Sequence, residues 1–238
     1  MTPLPSVAPD MRDAGSNSFL LRHIQTLGIS LGEMDHLRGH KDDFFGDQIN
    51  DEYEQETVGA GSTITLADTA HGGWVQLRAG DDPGRYSRLW LGASAGGYNT
   101  LDADEGWVQM ALIKYPFANT DVVHMMGAAA TPAFGGYIQL GLDTAIGANY
   151  IIQCFDGVLT TTDSGIAADN AWHWHVADVY PITGGRQVDY YLDGALIAYQ
   201  TTNVPTTVLT PFGITYNRGT AIRRSDWDYW GVIPRQLV

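Results

Sequence analysis

Residues Trp172–Thr201, WHWHVADVYPITGGRQVDYYLDGALIAYQT, decide the fold. Trp172, Trp174 and Val176 alternate with His173, His175 and Ala177, and Val188, Tyr190 and Leu192 alternate with Gln187, Asp189 and Tyr191. That period of two is the signature of strands. Thr183-Gly184-Gly185 makes the first turn. Asp193-Gly194 lies between an aromatic strand and the apolar run Ala195–Ala198, and Asp and Gly both tolerate the positive φ angles that match strand twist. Three antiparallel strands follow. Which set faces the core is open from alternation alone, and a bulge near Asp178 would reconcile the two rhythms.

Outward from this stretch the chain keeps the same grammar. Short apolar runs at Thr63–Leu66, Trp74–Arg78, Arg88–Leu91, Trp107–Lys114, Asp121–Met126, Tyr137–Leu142, Tyr150–Phe155, Val158–Thr162, Phe212–Tyr216 and Trp227–Val232 are separated by turn formers such as Gly72-Gly73, Pro83-Gly84 and Asp156-Gly157. About a dozen strands at this spacing predict two packed antiparallel sheets. The first forty residues differ. Early prolines precede SNSFLLRHIQTLG, where Leu20, Ile24 and Leu27 share a helical face, Asn17 or Ser18 can cap the start and Gly28 can end it. The expected organisation is an N-terminal attachment arm or short helix over 1–40 and a β-sandwich over 41–238.

Composition narrows the function classes. The 238 residues are 44% hydrophobic and 17% charged, with 28 Gly, and 13 Lys and Arg against 27 Asp and Glu give a formal charge of −14. A turn-rich, acidic β protein with scattered cations is not built to neutralise phosphates, so no nucleic-acid partner is expected. The acidity reads as solubility and mutual repulsion, with an acidic Ca²⁺ site as the open alternative. No apolar run reaches membrane-spanning length and no signal peptide is visible, so no membrane insertion is expected. The lone Cys154, between Gln153 and Phe155, reads as a packed small hydrophobe.

DDFFGD from Asp42, GGWVQLRAG, DSGIAADNAWHWHV, VDYYLDGALIAYQTTNVP and SDWDYWGV together resemble the concanavalin A-like lectin/glucanase jelly rolls found among phage structural proteins. The likeness runs from about Asp42 to Val232. It implies an all-β, two-sheet jelly roll and a virion setting, as a head decoration, fibre or tail-associated module. No activity follows from it, because one fold hosts many functions.

Glycoside hydrolysis needs two carboxylates across the scissile bond, and the glucanase branch would place acids on one strand in the manner E-x-D-x-x-E. No strand reads so. Glu52, Glu54 and Glu56 alternate near the sandwich entrance and Asp226 and Asp228 flank Trp227, both patterns that solvated faces also show. His173 and His175 share a strand face as zinc ligands can, yet no third ligand has supporting spacing, so no metal and no cofactor are expected. Trp74, Trp107 and Trp172 read as core. Aromatics beside glycine loops are better ligand candidates, which singles out Tyr98 with Asn99 and Tyr216 with Asn217. The expectation is a non-enzymatic, oligomeric virion protein held to other virion proteins by its N-terminal segment. The alternatives are a lectin-like module for host-surface glycans and, third, a glycan hydrolase. No acidic pair buried in a cleft is expected.

Overall fold

The computed structural model describes residues 40–42, 49, 53–67, 73–91, 101–116, 120–130 and 135–235. The expected helix at 17–28, and the pair Tyr98 and Asn99, lie outside the described residues. Those described form fifteen strands: β1 (His40–Asp42), β2 (Tyr53–Val58), β3 (Thr63–Ala67), β4 (Trp74–Ala79), β5 (Tyr86–Leu91), β6 (Trp107–Lys114), β7 (Val122–Ala129), β8 (Tyr137–Asp143), β9 (Asn149–Phe155), β10 (Leu159–Ala167), β11 (Trp172–Ile182), β12 (Gly185–Leu192), β13 (Ala195–Gln200), β14 (Thr210–Asn217) and β15 (Arg223–Pro234). No helix occurs among the described residues.

They make two antiparallel sheets. One runs β13-β12-β11-β6-β15-β4-β3, with β1 added against β15; the other runs β10-β9-β8-β7-β14-β5-β2. Both are assembled largely from strands distant in sequence, as in a jelly roll. The inner faces supply one continuous core containing Val75, Leu77, Trp107, Ile113, Ile138, Leu140, Ile152, Val179, Val188, Trp227 and Trp230. The layers touch closely where the Trp227 indole lies on Gly213. A Cβ at Gly213 would stand 2.5 Å from that ring, so only glycine fits.

The three-strand stretch around Trp172–Thr201 is as expected, with β11, β12 and β13 paired in order. Asp193 (φ 46°) and Gly194 (φ 86°) both take the left-handed region, the geometry of a two-residue hairpin. The anticipated bulge near Asp178 is absent. The register of β11 against both neighbours runs unbroken through Asp178. Both faces of β11 are instead covered: His175, Ala177 and Val179 face the other sheet, while Trp174 and Val176 lie outside it in a second apolar cluster with Val108, Met110, Leu112, Tyr229 and Ile233. Trp107 is core as expected; Trp74 and Trp172 are not, and meet edge to face on that outer side, 6.5 Å apart.

A bulge does occur at Asp228, where the pairing of β15 with β6 slips between Trp227 and Tyr229. It explains the spacing in SDWDYWGV. Trp227 and Trp230, three apart, both point inward because one extra residue resets the alternation.

Candidate active site

The pairing of β11 with β12 sets Asp178 directly opposite Asp189, and β13 adds Tyr199 beside Asp189. All three point away from the sandwich core, as do Tyr180 and Tyr191 along the same strands. Asp178 and Asp189 are 2% and 6% exposed, whereas Tyr199 is 60% and Leu196 52% exposed at the sheet margin. A buried acid pair therefore sits beside an open aromatic margin. Directly opposed side chains on neighbouring strands have Cβ atoms ~4.5–5.5 Å apart.

The two carboxyl groups have different surroundings. Asp189 accepts hydrogen bonds from Tyr180 Oη (2.9 Å), Gln187 Nε2 (2.6 Å) and, more weakly, Tyr191 Oη (3.4 Å). Asp178 accepts one, from Arg235 Nη2 at 3.0 Å, and its buried Oδ1 has no partner among the described residues. Burial raises the Asp178 carboxyl from the usual 3.8 to about 6, with Arg235 opposing and Asp189 adding to the rise. A carboxylic acid carrying its proton near pH 6, beside a second carboxyl wrapped in donors, is the division that acid–base catalysis uses. The Arg235 guanidinium stacks on the Tyr180 ring at 4.6 Å. It thereby bridges the Asp178 carboxyl and the Tyr180 ring.

A second acidic group lies on the outer side of the seven-stranded sheet. Glu56 accepts from Tyr86 Oη (2.5 Å), from the Arg88 guanidinium and from Trp90 Nε1 (3.3 Å). Burial works against its charge, but the hydrogen bonds from Tyr86 and Arg88 outweigh burial and hold the carboxyl below the usual range. Such a group anchors the edge strand β2 and is a poor proton donor. Along the same face Gln139 Nε2 donates to Gln153 Oε1 (2.5 Å), near Thr161, and Tyr137 stacks on Phe155 at 5.4 Å.

The residues singled out from sequence lie elsewhere in the fold. Tyr216 stacks on Tyr86 at 6.4 Å under Arg218. Asn217 is buried and its amide is fully used by backbone: Nδ2 donates to the carbonyls of distant Gly80 and nearby Ala221, and Oδ1 accepts from Gly219 N–H. Asp226 is buried against Arg224, 2.9 Å away, and burial raises its carboxyl above the usual value. His173 and His175 do share a face, but His173 is clamped by Asp193 (2.6 Å) and Asp169 (2.8 Å), while His175 bonds Tyr190 Oη (2.6 Å) inside the core. No group of three metal-ligating side chains occurs among the described residues. No acidic pair buried in a cleft was expected; Asp178 and Asp189, within the decisive stretch, are buried side by side across two strands.

No family model and no curated protein sequence matches the chain. Solved structures do. A Bacillus licheniformis β-glucanase superposes with a TM-score of 0.54 at 16% identity, over 83% of this chain and 98% of that one. A lichenase, a β-1,3-1,4-glucanase from a mouse hindgut metagenome, gives 0.57 at 14%, over 82% and 99%. The fold is the concanavalin A-like jelly roll of glucanases. A Mycobacterium tuberculosis protein described as an immunostimulatory antigen and pseudo β-1,3-glucanase matches at 0.55 and 14%, over 82% and 98%. These neighbours correct the expectation of a non-enzymatic virion structural protein, since the folds that this jelly roll matches are named for glucan cleavage. At such identities the likeness carries the fold, and chemistry must be argued from this chain's own residues.

Proposed function

We propose that this jelly roll is a carbohydrate-active enzyme of the glycoside hydrolase type, with Asp178 and Asp189 as its catalytic pair. The observation that carries the reading is the buried cross-strand acid pair with one carboxyl raised to about 6. Direct opposition puts both side chains on one face with Cβ atoms ~4.5–5.5 Å apart, close enough for two carboxyls to flank one bond, and retaining hydrolysis is the scheme in which they stand nearest, about 5–5.5 Å apart. In that scheme Asp178 protonates the departing glycosidic oxygen while Asp189 attacks the anomeric carbon. Asp178 then takes a proton from water, whose oxygen displaces Asp189 and releases the sugar with its configuration kept. Tyr199 supplies a ring face at the open margin for sugar stacking, and Gln187 and Tyr180 hold Asp189 in place.

The test is reducing-end release from mixed-linkage and β-1,3-glucans, chosen because the structural neighbours carry those names. The wild-type chain is expected to release sugar, and Asp178→Asn and Asp189→Asn to lower turnover by about 10²-fold or more. Release that neither substitution affects, or no release across a broad glycan panel, refutes the assignment. A second reading, glycan recognition, draws on the other sheet, where Gln139, Gln153, Thr161 and the Tyr137–Phe155 stack combine amides with ring faces. Retained glycan affinity in the Asp189→Asn protein that is lost in Gln139→Ala supports it.

A further inference from the structure

Like charges set directly opposite each other on neighbouring strands cost stability, and the outer side of the eight-stranded sheet holds such a pair. The register of β15 on β4 puts Arg224 opposite Arg78 and Asp226 opposite Gln76, and that of β15 on β6 puts Lys114 on the other side of Asp226. All five side chains share one face, because Leu77, Ile113 and Trp227, which alternate with them, point into the core. A chain with 13 Lys and Arg against 27 Asp and Glu has thus gathered three cations around one facing acid. That acid is engaged: Asp226 lies 2.9 Å from Arg224. The Arg78 Nε is buried with no acceptor among the described residues. Beside these cations stand two indoles. Lys114 opposes Trp172 of β11, whose ring meets Trp74 of β4 edge to face at 6.5 Å. Arg78, Lys114, Trp74 and Trp172 are each only half-buried, so the group reaches solvent.

We propose that this face binds an acidic sugar, with Arg78 and Lys114 receiving its carboxylate and the Trp74–Trp172 pair receiving its ring. A guanidinium presents its donors in a planar fork that matches a planar carboxylate through two parallel hydrogen bonds, and an indole offers an apolar face to the C–H side of a sugar. The opposed arginines fit the same reading. An arrangement that lowers stability in the free protein and is relieved by an anion is the local conflict expected of a binding position. The site is separate from the acid pair and does not depend on the hydrolase reading. Lys114 lies six residues along β6 from Val108, the residue opposite Asp178, which is ~20 Å at ~3.4 Å per residue.

Calorimetric titration of the full-length chain with a galacturonate tetramer tests this. Its methyl ester keeps the rings and loses the charge, and sodium sulfate keeps a charge and has no ring. The acidic tetramer is expected to bind, more weakly as salt rises, with the ester and sulfate at least tenfold weaker. Arg78→Gln should lower affinity for the acidic tetramer tenfold or more, and should leave the urea midpoint of the free protein unchanged or raised, because it removes the opposed charge. Lys114→Gln is the second variant and should weaken binding in the same direction. No binding of the acidic tetramer, or equal affinity for acid and ester, overturns the proposal. So does sulfate binding as tight as the tetramer's, which would make this a site for free anions, or a lowered midpoint in Arg78→Gln, which would make the arginine a structural residue. Sugar release plays no part in the readout, so the result stands apart from the fate of Asp178 and Asp189.

Discussion

His173 offers a quantitative test of the hairpin that carries Asp189. Its Nδ1 lies 2.6 Å from Asp193, in the β12–β13 turn, and its Nε2 lies 2.8 Å from Asp169, in the connection entering β11. The hydrogen bond to Asp193 is the main cause, burial opposing and Asp169 assisting, of a rise in the imidazole from 6.5 to about 9. Replacing His173 by Gln removes the charge and keeps a hydrogen-bonding side chain. At ~1.36 kcal/mol per pH unit, the full rise would correspond to about 3.4 kcal/mol. Asp169 and Asp193 are 61% and 51% exposed, however, so water and salt screen the pairs, and we expect ~1–2 kcal/mol. The sign follows from the raised value: the contribution is complete below pH 6.5 and is lost as pH rises through about 9. Urea unfolding of the parent should therefore show a lower midpoint at pH 10 than at pH 6.5, and His173→Gln should lose most of that difference. An equal fall in both proteins would show that the clamp does not hold the hairpin.

Three further outcomes follow from individual positions. Gly194→Val should destabilise the chain by about 1 kcal/mol or more, read from the unfolding midpoint, since a β-branched residue is poorly tolerated at φ 86°. Arg235 opposes the rise at Asp178, so Arg235→Ala should move the alkaline limb of hydrolysis to higher pH than in the parent, whose activity should fall as pH rises through about 6; a limb that does not move would disconnect Arg235 from the acid. Burial pushes the Cys154 thiol up to about 12, so thiol reagents should modify it only at the rate of unfolding, and rapid labelling of native protein would contradict its place in the core.

Much of the architecture was legible because two-residue periodicity reports burial directly. Trp107–Lys114 and Asp193-Gly194 were read correctly from pattern and turn chemistry alone. Errors arose where burial did not follow the usual sidedness. A strand covered on both faces gives alternation no clear polar side, so β11 looked as though it needed a bulge, and its outward Trp172, like Trp74 on β4, read as core. The real irregularity at Asp228 lies in SDWDYWGV, where only two residues, Asp228 and Tyr229, separate the inward Trp227 and Trp230, a spacing that plain alternation does not predict. β2 is not legible in YEQETV because Glu54, Gln55 and Glu56 fill its middle, and Glu56 is held by Tyr86, Arg88 and Trp90, all on a strand 30 or more residues later.

The candidate site was hidden for a related reason. Asp178 and Asp189 stand eleven residues apart in sequence, too far for neighbours along a single strand. They become partners only because the turn at Thr183-Gly184 fixes the register of β11 on β12, and a slip of one residue would send one carboxyl to the opposite face. The search for acids alternating on a single strand could not find a pair built across two. The consequence extends to comparison with the glucanases: acidic side chains can be brought together between neighbouring strands as well as along one, so the absence of an E-x-D-x-x-E strand does not remove acid–base chemistry from this chain. Cross-strand placement also exposes the site to the hairpin's own geometry. Lengthening the Thr183-Gly184 turn by one residue should separate Asp178 from Asp189 and abolish hydrolysis while the two-sheet core, which rests on Trp107, Trp227 and Trp230, continues to unfold cooperatively.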